Sequence, residues 1–170
     1  MDDVVLISYF ISLTILFIFG LHGFIMIYYH NKYKNVSHTP KTEIDENATV
    51  TIQLPLYNKL YVVERVIEKV CEIDFPKDKL EIQVLDDSTD ETVQIAAKMV
   101  KKKQEEGFDI KHIRRSNRKG FKAGALKEGL KTAKGNYVAI FDADFIPHKD
   151  FLKKTLAFFN DDKVRMVQTR

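Results

Sequence analysis

Asp142 and Asp144 stand one residue apart, directly after an apolar run, in "NYVAIFDADFIP" (136–147). Two carboxylates this close repel, and each disfavours ionisation of the other. A hard cation removes that penalty. Mg2+ and Mn2+ prefer carboxylate oxygens, and Mg2+ commonly takes one or two of them together with substrate phosphates. A bare pair of this kind reads as solvated acids at a turn. Its place at the end of an apolar strand brings the cation reading level with that one.

A second acidic pair, Asp86 and Asp87, follows the apolar run "LEIQVL" (80–85). Ser88, Thr89 and Asp90 suffice to cap a following helix, so this pair is left over. A carboxylate there is able to accept the ring N–H of a nucleobase. The segment 111–122 then gathers Lys111, Arg114, Arg115, Arg118, Lys119 and Lys122. One reading is a solvated surface. A nucleic-acid surface fits poorly, because there is little aromatic interleaving and the acidic pairs would repel a polyanion. The phosphates of a small nucleotide fit better, with Gly120 and Gly124 permitting close backbone approach.

These groups need elements to position them. "TVTIQL" (49–54) places Val50, Ile52 and Leu54 on one face of a strand. Val63, Val66, Ile67 and Val70 follow at helical spacing. "LEIQVL" is a second strand, and Val93, Ala96, Ala97 and Val100 mark a helix with Asp90 as its N-cap. "DIKHIR" (109–114) is a third strand, and Ala123, Leu126, Leu130 and Ala133 a third helix. "YVAIFD" (137–142) is almost wholly apolar and is expected at the centre of a sheet, covered on both faces. A fourth helix over Phe151–Phe159 and a fifth strand, "VRMVQ" (164–168), complete the pattern. Such alternation predicts an α/β domain with a largely parallel sheet, whose ligands bind at the carboxyl ends of the strands. "PLYNK" (55–59), "DDSTDET" (86–92), the basic Gly-containing loop and the Asp142–Asp144 pair all fall there.

The N-terminus is different material. Val4 to Tyr29 contains no Lys, Arg, Asp or Glu. As a helix it would be ~39 Å long, enough for a hydrocarbon core of roughly 30 Å. The start "MDD" and end "MIYYHNKYK" lack the basic start and small-residue end of a cleaved signal peptide. All 27 Lys and Arg follow residue 31, and Lys32 and Lys34 place the downstream domain in the cytoplasm by the positive-inside rule. The expected organisation is a transmembrane helix with its flanks at 1–31, a polar linker at 32–48 and the α/β domain at 49–170. The single cysteine, Cys71, reads as a small core residue, and no Cys/His spacing suggests zinc.

Rival α/β motifs are missing. No G-x-G-x-x-G follows the first strand and no Walker A loop occurs. The D-x-D of aspartyl phosphatases follows a first strand, whereas this one follows the fourth.

The ordered series "QLPLYN", "VVERVI", "LEIQVLDDSTDET", "RKGFKAGAL", "YVAIFDADFIP" and "MVQTR" resembles the nucleotide-sugar half of a family 2 glycosyltransferase. It is most similar to the membrane-bound cellulose-synthase-like and glucomannan-synthase-like branch, over roughly residues 49–170. The resemblance implies a GT-A fold, a UDP- or GDP-sugar donor (UDP-glucose or GDP-mannose), Mg2+ or Mn2+, and inversion at the anomeric carbon. By motif, Pro55 and Tyr57 would line the nucleoside pocket. Asp86 and Asp87 would hold base and ribose, Asp87 more than Asp86. Lys122 would contact the nucleotide and its diphosphate. Asp142 and Asp144 would hold the metal, with Asp142 also facing the nucleotide sugar. The acceptor would be a saccharide or lipid at the membrane, with no nucleic acid involved. Lys59 departs from the family's usual P-x-Y-N-E, replacing an acid with a cation. The family's general base is expected beyond Arg170, so these residues read as an N-terminal fragment. The competing class is a membrane-anchored nucleotide-binding module without catalysis.

Overall fold

The computed structural model describes residues 2–34 and 44–169. Residues 35–43, most of the expected linker, and Arg170 lie outside the described residues. The chain divides into two compact units, Met1–Thr39 and Pro40–Arg170.

The described part of the first unit is a helix, α1 (Asp2–Tyr33), with apolar side chains exposed all round. It is long and apolar enough to cross a membrane, by length and composition. Its hydroxyls are turned back onto the helix: Ser8, Ser12 and Thr14 donate to the carbonyls of Val5, Ser8 and Phe10 at 2.8–2.9 Å. Such bonds satisfy polar side chains where no water is available.

The second unit is a four-stranded parallel sheet, β1 (Val50–Leu56), β2 (Leu80–Asp86), β3 (Asp109–Arg114) and β4 (Tyr137–Ile140), in the order β3-β2-β1-β4. The crossovers carry α2 (Val63–Cys71), α3 (Thr92–Glu105) and α4 (Phe121–Leu130), and α5 (Phe151–Leu156) follows β4. One sheet face bears Val50, Ile52, Leu54, Ile82 and Val84, buried with Val63, Val66, Ile67, Ala96, Met99 and Leu152 in a single core. Asp90 Oδ1 accepts the Thr92 N–H at 3.0 Å just ahead of α3, but the N-cap position falls on Glu91, not the expected Asp90, and has no side-chain cap bond.

The other face is polar yet equally buried. Thr51, Gln53 and Gln83 are fully buried and Glu81 nearly so, with α4 over β1 and β2. Gln53 donates to Gln83 at 3.0 Å. Gly129 lets the helix approach them, since a Cβ there would stand 2.5 Å from Gln53 Nε2. Glu81 accepts from the Thr51 hydroxyl (2.7 Å), the Lys134 amide (2.8 Å) and the Lys111 ammonium (2.6 Å). Burial acts to raise its pKa, but these three bonds outweigh burial and hold it below the usual 4.5. A carboxyl whose folded pKa is depressed contributes stability above its ordinary pKa and loses it as pH falls through the folded value. Glu81→Ala is therefore expected to cost roughly 2–4 kcal/mol at neutral pH, through the stranded Thr51 and Lys134 donors. The variant should also lose less stability than the parent on acidification below about pH 5. Urea unfolding at several pH values checks both.

Two expectations need correction. Among the described residues β4 pairs with β1 alone, at the edge of this four-stranded sheet rather than at its centre, and Val138 and Ile140 are 39% and 50% exposed. Its Tyr137 and Ala139 side packs on the core, while α4 covers β1 and β2 and leaves its opposite face open. Apolar content alone does not say which strand acquires two neighbours. Residues 164–168 form no strand; they run as irregular chain, with Met166 exposed. Alternation supplies a face but no partner, and pairing is what makes a strand stable.

Candidate functional site

The strand order reverses direction at β1. The chain moves outward from β1 to β2 and β3, then returns to place β4 on the other side. The crevice outside the carboxyl ends of β1 and β4 is thus the switch point at which open α/β sheets bind ligands. Odd residues of β1 face β4: the Tyr137 and Phe141 amides donate to the Thr49 and Gln53 carbonyls. Pro55 is the next in that series, beyond the last paired residue of β4. A proline, having no N–H, fits a position where no ladder bond is to be made.

A cleft of about 530 Å³ opens there. Pro55, Tyr57, Asp87, Lys122, Asp142 and Asp144, six of the seven expected site residues, line it, and Lys59 and Arg118 join them. Asp86 does not. It lies beneath, fully buried, with Oδ1 accepting the Ser88 amide at 2.8 Å and Oδ2 2.9 Å from His112 Nε2. Burial alone would raise its pKa, yet the His112 and Ser88 hydrogen bonds prevail and hold it below 3.8.

Two loops are stitched together at the cleft. Asn58, in the left-handed region at φ 49°, donates its backbone N–H to the Ser88 hydroxyl oxygen (2.9 Å) and accepts the Thr89 N–H on its side-chain oxygen (3.0 Å). Asn tolerates that backbone region better than most residues. Arg115 Nε donates to Asp87 Oδ1 at 2.9 Å and Nη2 to Oδ2, a bidentate pair mostly shielded from solvent. The same guanidinium donates to the Lys119 and Phe121 carbonyls at 3.0 and 3.1 Å. This fixes the loop entering α4, where a Cβ on Gly124 would stand 2.0 Å from the Lys119 oxygen. Arg118 lies over the Tyr57 ring, its Cζ 3.2 Å from the centroid, a cation–π contact.

The paired acids are each neutralised by a lysine. Lys122 Nζ, from the first turn of α4, bonds Asp142 Oδ1. Lys59 Nζ, from the β1–α2 loop, spans both oxygens of Asp144 at 2.7 and 2.9 Å. Both aspartates remain exposed, at 62% and 68% of their side chains. Among the described residues no three His, Cys, Asp or Glu gather to hold a metal by themselves. The donor set nevertheless fits a hard divalent cation that shares its coordination with phosphate oxygens, because it offers two accessible carboxylates and nothing soft.

The sequence pattern located the acids but missed what holds them. Asn58, His112 and the Arg118–Tyr57 stack had no separate signal. Lys59 did, as a cation where an acid is usual.

A parallel α/β sheet with a charged cleft at its switch point is the arrangement in which open α/β domains bind ligands. The sequence model of glycosyl transferase family 2 matches residues 51–170, and the chain belongs to that family. Probable glucomannan 4-beta-mannosyltransferase 11 of Oryza sativa subsp. japonica is 46% identical over 126 residues, covering 71% of this chain and 22% of that protein. Glucomannan 4-beta-mannosyltransferase 9 of Arabidopsis thaliana is 44% identical over 126 residues, covering 71% and 24%. The chain thus spans about a fifth to a quarter of the length of these curated relatives. Among solved structures, mannosyltransferase PcManGT from Pyrobaculum calidifontis, in complex with GDP-Man and Mn2+, superposes with a TM-score of 0.67 at 28% identity, covering 81% of this chain and 41% of that one. S. aureus TarS 1-349 in complex with UDP-GlcNAc gives 0.56 at 28% identity, covering 66% and 31%. The fold is the GT-A-like α/β fold of family 2 structures.

Proposed function

We propose that the α/β unit is the donor half of a membrane-bound, inverting, metal-assisted hexosyltransferase acting on a polysaccharide or lipid acceptor. The observation that carries this is the convergence of Pro55, Tyr57, Asp87, Lys122, Asp142 and Asp144 on one cleft at the switch point. GDP-mannose is the favoured donor, because the relatives above are mannosyltransferases by name and PcManGT is in complex with GDP-Man.

In this reading Pro55 and Tyr57 flank the nucleoside, and Asp87, oriented by Arg115, faces its polar edge. Asp86 supports this from below through Ser88 and His112. Asp142 and Asp144 hold Mg2+ or Mn2+, which when bound neutralises charge on the diphosphate leaving group. Lys122, released from Asp142, turns to the phosphates, adding a positive charge where negative charge develops. The test is calorimetric titration of the detergent-solubilised chain with GDP-mannose, UDP-glucose and ATP, each with and without Mn2+. Mn2+-dependent binding of a nucleotide sugar, GDP-mannose above UDP-glucose, is expected. Failure of both sugars to bind would refute the donor-site reading.

Residues 1–31 are proposed as the transmembrane segment and 49–170 as a cytoplasmic domain, on the acids before the span and Lys32 and Lys34 after it. Protease added to right-side-out vesicles should spare the domain; digestion there would reverse the orientation.

A further inference from the structure

Lys59 is one of three cationic side chains lining the cleft, with Arg118 and Lys122, and it is the one that pairs with Asp144. Its backbone is fixed where β1 gives way to α2: Asn58 is held in the left-handed region before it, and its own carbonyl accepts the Val62 and Val63 amides at 3.1 and 3.0 Å. From that anchor the ammonium crosses to a residue 85 positions away and spans both oxygens of Asp144. Asp142 is answered separately, from α4, by Lys122. Each carboxylate thus has its own cation, and the repulsion expected between neighbouring acids is relieved without a metal.

The two lysines are not equivalent. Lys122 reaches the cleft from the first turn of α4, and Arg118 from the loop before it, where the nucleotide is proposed to lie. Lys59 sits on the Asp144 side, so a divalent ion reaching Asp144 must displace its ammonium or sit beside it. Both options are unfavourable while no other negative charge is present. An arriving diphosphate changes the balance, because it brings several negative charges that attract the metal and offer the displaced ammonium a new partner.

We infer that Lys59 is an internal counter-cation that keeps free divalent metal off Asp144 and makes metal binding conditional on a diphosphate-bearing ligand. This rests on the reading of Asp142 and Asp144 as the metal ligands and refines it into an order: metal and nucleotide enter together. Coupling of this kind is reciprocal, so the metal strengthens nucleotide binding by the factor that the nucleotide strengthens metal binding. Lys59 sets the size of that factor.

The experiment measures Mn2+ alone, by electron paramagnetic resonance of the free ion, against the detergent-solubilised chain and its Lys59→Gln variant. Lys59 is 39% exposed at its side chain and belongs to no core, so the substitution leaves the fold in place. Without nucleotide, Lys59→Gln should bind Mn2+ about tenfold more tightly than the parent, the size expected for removing one positive charge beside a divalent ion in a water-like medium. The gain should vanish in the Lys59→Gln/Asp144→Asn double variant. With saturating GDP the two single-chain affinities should converge. Equal Mn2+ affinities without nucleotide, including no detectable binding to either protein, would overturn the inference. A gain that survives Asp144→Asn would overturn it as well, because the lysine would then act elsewhere. Failure of GDP and UDP to bind any variant would sink the donor-site reading instead, while the Mn2+ comparison still decides the role of Lys59.

Discussion

Asp142→Asn is expected to lower Mn2+-dependent binding of GDP by roughly 100-fold or more, the scale on which metal ligands act when they neutralise a diphosphate. Asp142 is the better-positioned of the two acids. It follows Phe141, whose amide is tied to the Gln53 carbonyl at 3.2 Å, so its backbone is an extension of the sheet. Asp144 stands a turn further on, where the Phe145 amide closes back on the Asp142 carbonyl at 2.9 Å. Stability should barely change. The Asp142 side chain is 62% exposed and its ion pair with Lys122 is a surface pair, of a kind worth about 0–1 kcal/mol. Calorimetric titration with GDP, with and without Mn2+, separates this from a solvated turn acid, for which binding would be unchanged in both conditions.

How far the sequence announces this arrangement depends on the kind of information involved. The alternation of strands and helices is visible because it is written in period-2 and period-3.6 spacing of apolar residues. The acids at the strand ends are visible because strand ends are. The position of β4 is not: the apolar run 137–142 reads as central, while among the described residues the order of crossovers gives β4 one neighbour, β1. The same limit explains residues 164–168, where Val164 and Met166 alternate correctly and pair with nothing described. The polar stripe of β1 and β2 shows a different limit. Thr51, Gln53, Glu81 and Gln83 look like an outward face by residue type, yet α4 buries them and their hydrogen bonds run to one another. Spacing tells which residues share a face, not what covers that face.

Charge pairing is the least legible layer. Lys59 and Asp144 are 85 residues apart, and Arg115 and Asp87 are 28 apart. Sequence identifies each as charged but cannot match them, because the match is made by the register of loops around the switch point. The pairings have a common sense. Asp87, Asp142 and Asp144 each meet a basic side chain, and a diphosphate with its cation would offer those bases and acids new partners of opposite sign. The cleft is neutralised internally in a form that a charged ligand can exchange, and this accounts for carboxylates and a basic loop occupying one edge.

The heaviest structural penalty is expected from Arg115→Ala, about 3–5 kcal/mol, which is the range for removing one partner of a shielded ion pair. The side chains of Arg115 and Asp87 are only 12% and 7% exposed, so the stranded Asp87 carboxylate would have little water to replace the lost fork. Two further acceptors, the carbonyls of Lys119 and Phe121, lose their donor in the same step. They flank the turn that follows Arg118, seated on Tyr57, and leads into α4 at Phe121, so nucleotide binding should weaken along with the fold. Arg115→Lys should fall in between. It keeps the charge but lacks the planar fork that serves Asp87 and the two carbonyls at once. The decisive comparison is the double variant Asp87→Ala/Arg115→Ala. If the cost arises from an uncompensated carboxylate, the double variant is more stable than Arg115→Ala alone, because the charge left behind is gone. Urea unfolding followed by circular dichroism measures all of these. An Arg115→Ala chain as stable as the parent, or a double variant that loses the sum of the two single losses, would mean that the bidentate pair does not hold this loop.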